Sequence, residues 1–235
     1  MQQKIDFQPS HTPFDFSKYN SPYELIRTEI IQNMIVPGQQ RKAIDIGCGP
    51  GFFSKLLKNN GWQVTAIDTD QENIKNTSEY ATETYQGDAI VILSELSESQ
   101  YDLAFALEII EHMPLAFGVS LLEGTYKVLK PGGELLISTP NKHSPEGLAG
   151  CYWKEKIRGK RKWDAWDSTH VYIYSSWEIL KLLKRIGFKI DLVTGYHYKV
   201  FFPMIGSRKL LPLEYTSVFP FNYFGFNLII KCHKE

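Results

Sequence analysis

The sequence has no means of stapling itself with cysteine. It holds three, Cys48, Cys151 and Cys232, odd in number and far apart, and no CxxC pair occurs. A zinc knuckle and a disulfide framework are therefore excluded, and the plain reading is a reduced, cytoplasmic setting. Net charge is missing as well: 26 Lys and Arg balance 26 Asp and Glu. No global field draws such a chain to nucleic acid or to a membrane. No apolar run approaches the ~18 residues of a membrane span. The opening stretch "MQQKIDFQPSHTPFDF" lacks the apolar core of a secretory leader. Repeats and low-complexity tracts are absent too. What remains is the expectation of a soluble chain. Its 235 residues suffice for one α/β domain with extensions.

What the sequence does have is a local excess of glycine. "AIDIGCGPG", Ala43 to Gly51, places Gly47, Gly49 and Gly51 at alternate positions after an apolar run that contains Asp45. Glycine costs backbone entropy, so a cluster needs a geometric reason: a tight turn, or backbone lying close to a ligand. Around it the pattern alternates. Strand-like runs occur at 42–46, 62–67, 101–107 and 133–138, and helix-like runs at 51–59, 70–80, 116–129 and 176–186. Alternation of this kind predicts a doubly wound, Rossmann-like α/β fold, with a mostly parallel sheet and helices on both faces. Two late runs, 188–202 and 222–232, have no helix between them and predict an antiparallel edge; these six runs are expected to belong to a seven-stranded sheet.

The ends and one interior stretch stand apart. A helix is expected from Ser21, with Pro22 and Glu24 completing its start and Ile26, Ile30 and Met34 on one face. Ser175 and Glu178 read as a capping box for the helix at 176–186. Trp177, Leu180, Leu183 and Ile186 share one face of it, and Gly187 ends it. Residues 141–175 break the periodicity, and long irregular stretches in compact domains are often functional. The expected organisation is a helical extension (1–40), a ligand-binding core (41–140), an insert expected to act as a lid (141–175), and a C-terminal helix with strands (176–235).

Strand, glycine turn and helix together hold nucleotide-like ligands at the switch point of a doubly wound sheet. The spacing discriminates. GxGxxG is not met, because residue 52 is Phe, and the GKS or GKT of a phosphate loop is absent. The pattern Asp45-x-Gly47-x-Gly49-x-Gly51 instead resembles motif I of class I S-adenosylmethionine (SAM) dependent methyltransferases. "VTAIDTD", "QGDAI", "YDLAFALEIIEHM" and "LKPGGELLISTPN" follow in the order that family shows. Within it, the chain is nearest to the ubiquinone-biosynthesis O-methyltransferases and the methyltransferase type 11 group.

The resemblance implies SAM as cofactor, with Asp68 on the ribose hydroxyls and Asp88 on the adenine amino group. Asp45, Gly47, Cys48, Gly49, Gly51, Thr69, Ala89 and Leu107 fall in the same cofactor motifs. Asp45 is expected to order the glycine loop, and Cys48 to be a small packing residue. The implied activity is methyl transfer to a small or lipid-like acceptor, with transfer to oxygen expected as in the ubiquinone-biosynthesis members. Such transfer calls for a base near the acceptor. Glu108, Glu111 and His112 supply candidates, and, if helical, their spacing puts them on one side. His143 and His170 lie in the insert. Three roles stay open for this group: a base or substrate contact, a structural role, or ligands for a divalent metal. A similar E-x-x-E-H run helps to hold a metal in some relatives. The metal reading is disfavoured, because the motif alone brings only three ligands.

Two other readings remain. The insert interleaves Lys154, Lys156, Arg158, Lys160, Arg161 and Lys162 with Trp153, Trp163 and Trp166. Basic and aromatic residues together suit RNA, although the neutral total charge opposes a large nucleic-acid footprint. The same residues suit peripheral membrane contact. A SAM- or nucleotide-binding regulator without catalysis is the third class. The sequence does not fix the acceptor or the oligomeric state.

Overall fold

The computed structural model describes residues 21–157, 163–209 and 213–235. Its elements alternate, as the sequence predicts. They are α1 (Pro22–Met34), β1 (Lys42–Ile46), α2 (Phe52–Asn59), β2 (Gln63–Asp68), α3 (Gln71–Thr77), β3 (Glu83–Gln86), α4 (Ala89–Glu95), β4 (Tyr101–Leu107), α5 (Leu115–Val128) and β5 (Leu129–Pro140). The second half carries α6 (Pro145–Cys151), α7 (Ser176–Ile186), β6 (Phe188–Tyr196), β7 (Lys199–Phe202), β8 (Gly206–Lys209), β9 (Tyr215–Thr216) and β10 (Asn227–Lys234).

The chain folds as two compact units. Of the described residues, the first unit takes those within 21–106, 120–135 and 234–235, and the second takes those within 107–119 and 136–233. In the first, the strand order is β3-β2-β1-β4-β5. β1 pairs parallel with β2 on one side and with β4 on the other, so Asp45 stands between Ala66 and Phe105. The strand order reverses at β1, the switch point where doubly wound sheets bind ligands. Ile44, Ile46, Ala66, Ile67, Ala104 and Phe105 are fully buried, which is why these strands read as near-continuous apolar runs.

In the second unit the order runs from β5 through β10 and β6 to β9. β9 is an antiparallel edge strand of two residues beside β6. The sheet therefore has eight strands, not seven, with β7 and β8 as a separate hairpin. Two strands went unseen for physical reasons. β9 is too short to show a period, and β3 is an edge strand with no fully buried residue. The expected strand 188–202 breaks at His197, whose φ is +55°.

The caps behave as the residue types demand. The Ser21 hydroxyl accepts from the Glu24 N–H at the start of α1, and Ser175 and Glu178 complete a capping box on α7. Ile30 and Met34 are buried and Ile26 is half-buried. On α7 the buried side chains are Ile179, Leu180, Leu182 and Leu183, whereas Trp177 faces outward. The insert is less irregular than its sequence. It contains α6 and one π-helical turn, Tyr152–Ile157. Trp163, Ala165 and Ile173 form a small core with Cys151 and Phe226 against it.

Candidate active site

In the first unit the glycine loop leaves β1 with Gly47, Gly49 and Gly51 at φ of +70°, +52° and +93°. A side chain is strained in that region. Gly51 has a second constraint: a Cβ there would sit 2.7 Å from the Thr77 hydroxyl and 3.0 Å from its Cα. The loop is tied to β2. The N–H groups of Gly47 and Cys48 donate to the Ile67 carbonyl at 2.8 and 3.0 Å, and the Gly49 N–H donates to Asp68 Oδ2 at 2.8 Å. Asp68 Oδ1 accepts from the Asp70 N–H and from Asn73 Nδ2 at 2.9 and 3.2 Å. The carboxylate is thus held at the end of β2, half-buried and facing the glycine backbone.

Asp45 acts otherwise than expected. Its carboxylate accepts from the Ser54 hydroxyl at 2.6 Å, on the first turn of α2, so it anchors the helix while Ile67 and Asp68 order the loop. Burial pushes Asp45 up to about 6; the Ser54 bond lowers it, and the charge of Asp68 raises it further. Cys48 is buried against Ala66 and Ile74, the packing role expected, and burial raises its thiol well above the usual range. Asp88 is exposed and caps α4, accepting from the Ile90 N–H at 2.8 Å. Thr69 is exposed, and Ala89 is buried behind Asp88. Ser54, Asn73 and Thr77 escaped the sequence reading. Thr77, whose hydroxyl donates to the Gly49 carbonyl at 3.0 Å, lies 28 residues away with no motif around it. This cradle of bare backbone beside a fixed carboxylate fits a ligand with hydroxyl-bearing ribose.

The second unit gathers the candidate bases. Leu107 ends β4 buried, and Glu108 follows in the left-handed region at φ +52°. Non-glycine residues in that region cluster at functional sites. Its N–H is fixed by the Ser138 hydroxyl and carbonyl at 3.1 and 3.2 Å, and its Oε2 accepts from Asn227 Nδ2 at 3.4 Å. Ile110–His112 form a short 3₁₀ turn, not an α-helix, so the three candidates do not share a face. Glu111 is fully buried and His112 is exposed. Burial holds the Glu111 carboxyl well above the usual carboxylate range, and the neighbouring Glu108 reinforces the shift.

His170 joins this group, whereas Glu108 is not among its ligand atoms. One ligand atom from each of Glu111, His112 and His170 lies within 4.8 Å of the others. The two imidazoles meet edge to face at 4.8 Å. The insert brings His170 there, because the N–H groups of Val171 and Tyr172 donate to the Glu111 carbonyl at 2.8 and 3.1 Å. The Thr169 hydroxyl donates its one proton to Asp167 Oδ1 at 2.7 Å. It therefore accepts from His112 Nδ1 at 3.2 Å. His170 Nδ1 donates to the Asp164 carbonyl at 2.8 Å. Both rings are left with Nε2 as the basic atom. The Thr169 hydroxyl and N–H hold Asp167 below the usual range, with burial opposing and His170 and His112 adding. His143 lies outside the group, half-buried in the turn before α6, its N–H donating to Asn141 Oδ1.

Among the described residues of the insert, Trp163, Lys154 and Trp166 are engaged. Trp163 is buried. Lys154 pairs with Asp164 at 2.6 Å, and Trp166 Nε1 donates to the buried Glu146 at 2.8 Å. Arg158, Lys160, Arg161 and Lys162 lie outside the described residues.

With this geometry in place, the chain can be set beside known proteins. Residues 20–193 match the model of a family described as a methyltransferase domain. The ubiquinone biosynthesis O-methyltransferase of Idiomarina loihiensis is 32% identical over 124 residues, 51% of this chain and 50% of that protein. The protein of the same description from Rickettsia bellii is 32% identical over 168 residues, 67% of this chain and 65% of that one. The chain thus spans less than two thirds of the length of either. Among solved structures, a SAM-dependent methyltransferase from Archaeoglobus fulgidus superposes with a TM-score of 0.66 at 20% identity, covering 93% of this chain and 97% of that one. A possible histamine N-methyltransferase from Thermotoga maritima does so with a TM-score of 0.61 at 18% identity, over 94% and 96%. At these identities the likeness is one of fold.

Proposed function

The chain belongs to the class I SAM-dependent methyltransferases, and we propose that it moves the methyl group to an oxygen of a small or lipid-like acceptor. The observation that carries the oxygen assignment is the grouping of Glu111, His112 and His170, with both Nε2 atoms free of the bonds that orient the rings. A hydroxyl acceptor must lose a proton as it is methylated, and a positioned imidazole removes it. The descriptions of the curated relatives, O-methyltransferases, support the same reading. SAM supplies the activated methyl and the driving force. The glycine loop and Asp68 hold it, with Asp88 assigned to its adenine. His112 or His170 takes the acceptor proton, Thr169 and the Asp164 carbonyl keep the rings oriented, and buried Glu111 supports them.

A second reading is favoured by the same clustering: Glu111, His112 and His170 hold a divalent cation. Two imidazoles and a carboxylate suit zinc or manganese, and the cation would polarise the acceptor oxygen. The insert's contribution of His170 gives this reading more support than the E-x-x-E-H run did.

Incubation with SAM labelled in its methyl group tests the acceptor atom. Against a panel of phenols, amines and carbon acids, the label should appear on oxygen. Label on nitrogen or carbon alone would overturn the assignment. So would tight cofactor binding with no turnover on any acceptor, which is the behaviour of a regulator.

A further inference from the structure

The outward face of α7 carries more than a solvated helix needs. Trp177, Lys181, Lys184 and Arg185 recur at helical spacing on one side, and all four are exposed. Trp177 is 56% exposed, unusual for so large an apolar ring. It leans on Tyr223 at 5.1 Å, and Tyr223 leans on Phe219 at 5.6 Å. Phe219 is itself 68% exposed, and Val218 beside it 65%. An aromatic patch drawn from two distant segments therefore runs directly into a cationic helix face. A cavity of about 240 Å³ opens next to it, with Leu115, Val119 and Leu182 as apolar wall and Lys181 and Arg185 at its edge.

The charges on this face do not cancel. Its acid is Glu178, and that carboxylate is already engaged. Oε2 accepts from the Ser175 N–H at 2.8 Å, and Oε1 accepts from the Tyr172 hydroxyl at 3.2 Å. Lys142 lies near the same carboxylate, in the adjoining smaller cavity. A chain of zero net charge thus concentrates cations beside exposed aromatic rings. Contiguous apolar exposure marks an interaction surface. Rings with a polar edge next to long basic side chains suit the boundary between headgroups and acyl chains, where the cations reach phosphate and the rings sit at headgroup depth.

We propose that this face docks the protein on a bilayer surface carrying anionic lipids. Lys181, Lys184 and Arg185 meet the phosphates, and Trp177, Tyr223 and Phe219 enter the interface. The proposal is independent of the methyl acceptor, since it rests on none of the residues assigned to cofactor or proton transfer.

Flotation of the full chain with vesicles tests it. Vesicles of phosphatidylcholine alone are compared with vesicles that also contain phosphatidylglycerol. The protein should float with the second and not the first, and release with added salt. Each basic residue near such a surface contributes roughly fivefold in partitioning, so K181Q/K184Q/R185Q should weaken binding about a hundredfold. W177S/F219S should also weaken it, and should lose the part that resists salt. Thermal unfolding and calorimetric SAM affinity, measured on the same samples, should match wild type, which separates lost docking from lost folding. Equal flotation with both vesicles, flotation with neither, or undiminished binding by the triple variant would overturn the proposal. A dimer in sedimentation that W177S dissociates, without vesicle binding, would assign the face to a second copy and overturn it as well.

Discussion

An ionised carboxylate at position 45 has no water to hold it. Asp45 is 3% exposed, and Ser54 supplies its hydrogen bond. Burial therefore outweighs that bond and lifts the group to about 6 from an ordinary value of 3.8. The sign of the linkage follows. A carboxyl whose folded-state value is raised favours the fold while protonated, so its contribution is intact below about 4 and is lost as pH rises through about 6. A shift of this size is worth about 3 kcal/mol between the two protonation states. Asp45→Asn keeps an acceptor for Ser54 and removes the charge. Relative to wild type, the variant should gain stability between pH 4 and pH 8 by about 2–3 kcal/mol, read from denaturant unfolding at each pH. A difference that stays flat across that range would mean that Asp45 remains ionised throughout, stabilised by groups beyond Ser54.

At the scale of elements, the joint after β5 is the most constrained. Asn141 is fully buried and uses its whole amide. Its Nδ2 donates to the carbonyls of Tyr223 and Gly225 at 2.9 and 3.0 Å. Its Oδ1 accepts from the N–H groups of His143 and Ser176 at 3.0 and 3.1 Å. One side chain thus joins the start of the insert, the start of α7 and the segment before β10. Asn141→Ala would leave these backbone groups unpaired, at about 1–3 kcal/mol for each that water cannot reach. A loss above about 3 kcal/mol in urea unfolding is expected. A loss under 1 kcal/mol would show that water replaces the amide.

Asn141 stood in the quoted "STPN" run, yet nothing in the sequence announces its partners, which lie up to 84 residues away. Legibility follows that distance. β1, the glycine turn, α2 and β2 are one local unit whose geometry glycine spacing and apolar runs dictate, and Asp68 was readable as the acid that ends β2 beside the glycine loop. The meeting of His112 with His170 depends on a loop pinned to the Glu111 carbonyl, and no period encodes it. Glu108 and Glu111 were found as residue types, but their separation by a 3₁₀ turn was not. Trp177 was grouped on one face of α7 with Leu180, Leu183 and Ile186, yet it is exposed where Leu180 and Leu183 are buried, because an apolar ring at helical spacing carries no mark of which face it takes.

On the whole molecule, the proposed function divides between the two units. In that reading cofactor binding rests mainly on the first, where Gly49, Asp68 and Asn73 are linked. Turnover would need the second as well, where Glu111, His112 and His170 gather. Asp68→Ala should therefore weaken SAM binding by about 1–3 kcal/mol in calorimetry, the cost of leaving polar groups unpaired. Changes at His112, His170 or Glu111 should leave that affinity intact and lower the rate, by about 10²–10⁴-fold if an imidazole is the base. The same variants decide between proton transfer and metal. With a histidine base, chelator does nothing, Glu111→Gln costs less than the histidine changes, and the rate climbs with pH through one ionisation. With a cation on Glu111, His112 and His170, chelator abolishes turnover. Added zinc or manganese restores it, and Glu111→Gln, His112→Ala and His170→Ala lose metal content together with rate. The burial of Glu111 adds a condition to the metal reading. Its carboxyl, held above the usual range by burial and by Glu108, must shed a proton to bind a cation, so affinity for zinc should rise with pH. Metal uptake indifferent to pH, measured on protein stripped by chelator, would leave Glu111 out of any such site and return the chemistry to the two imidazoles.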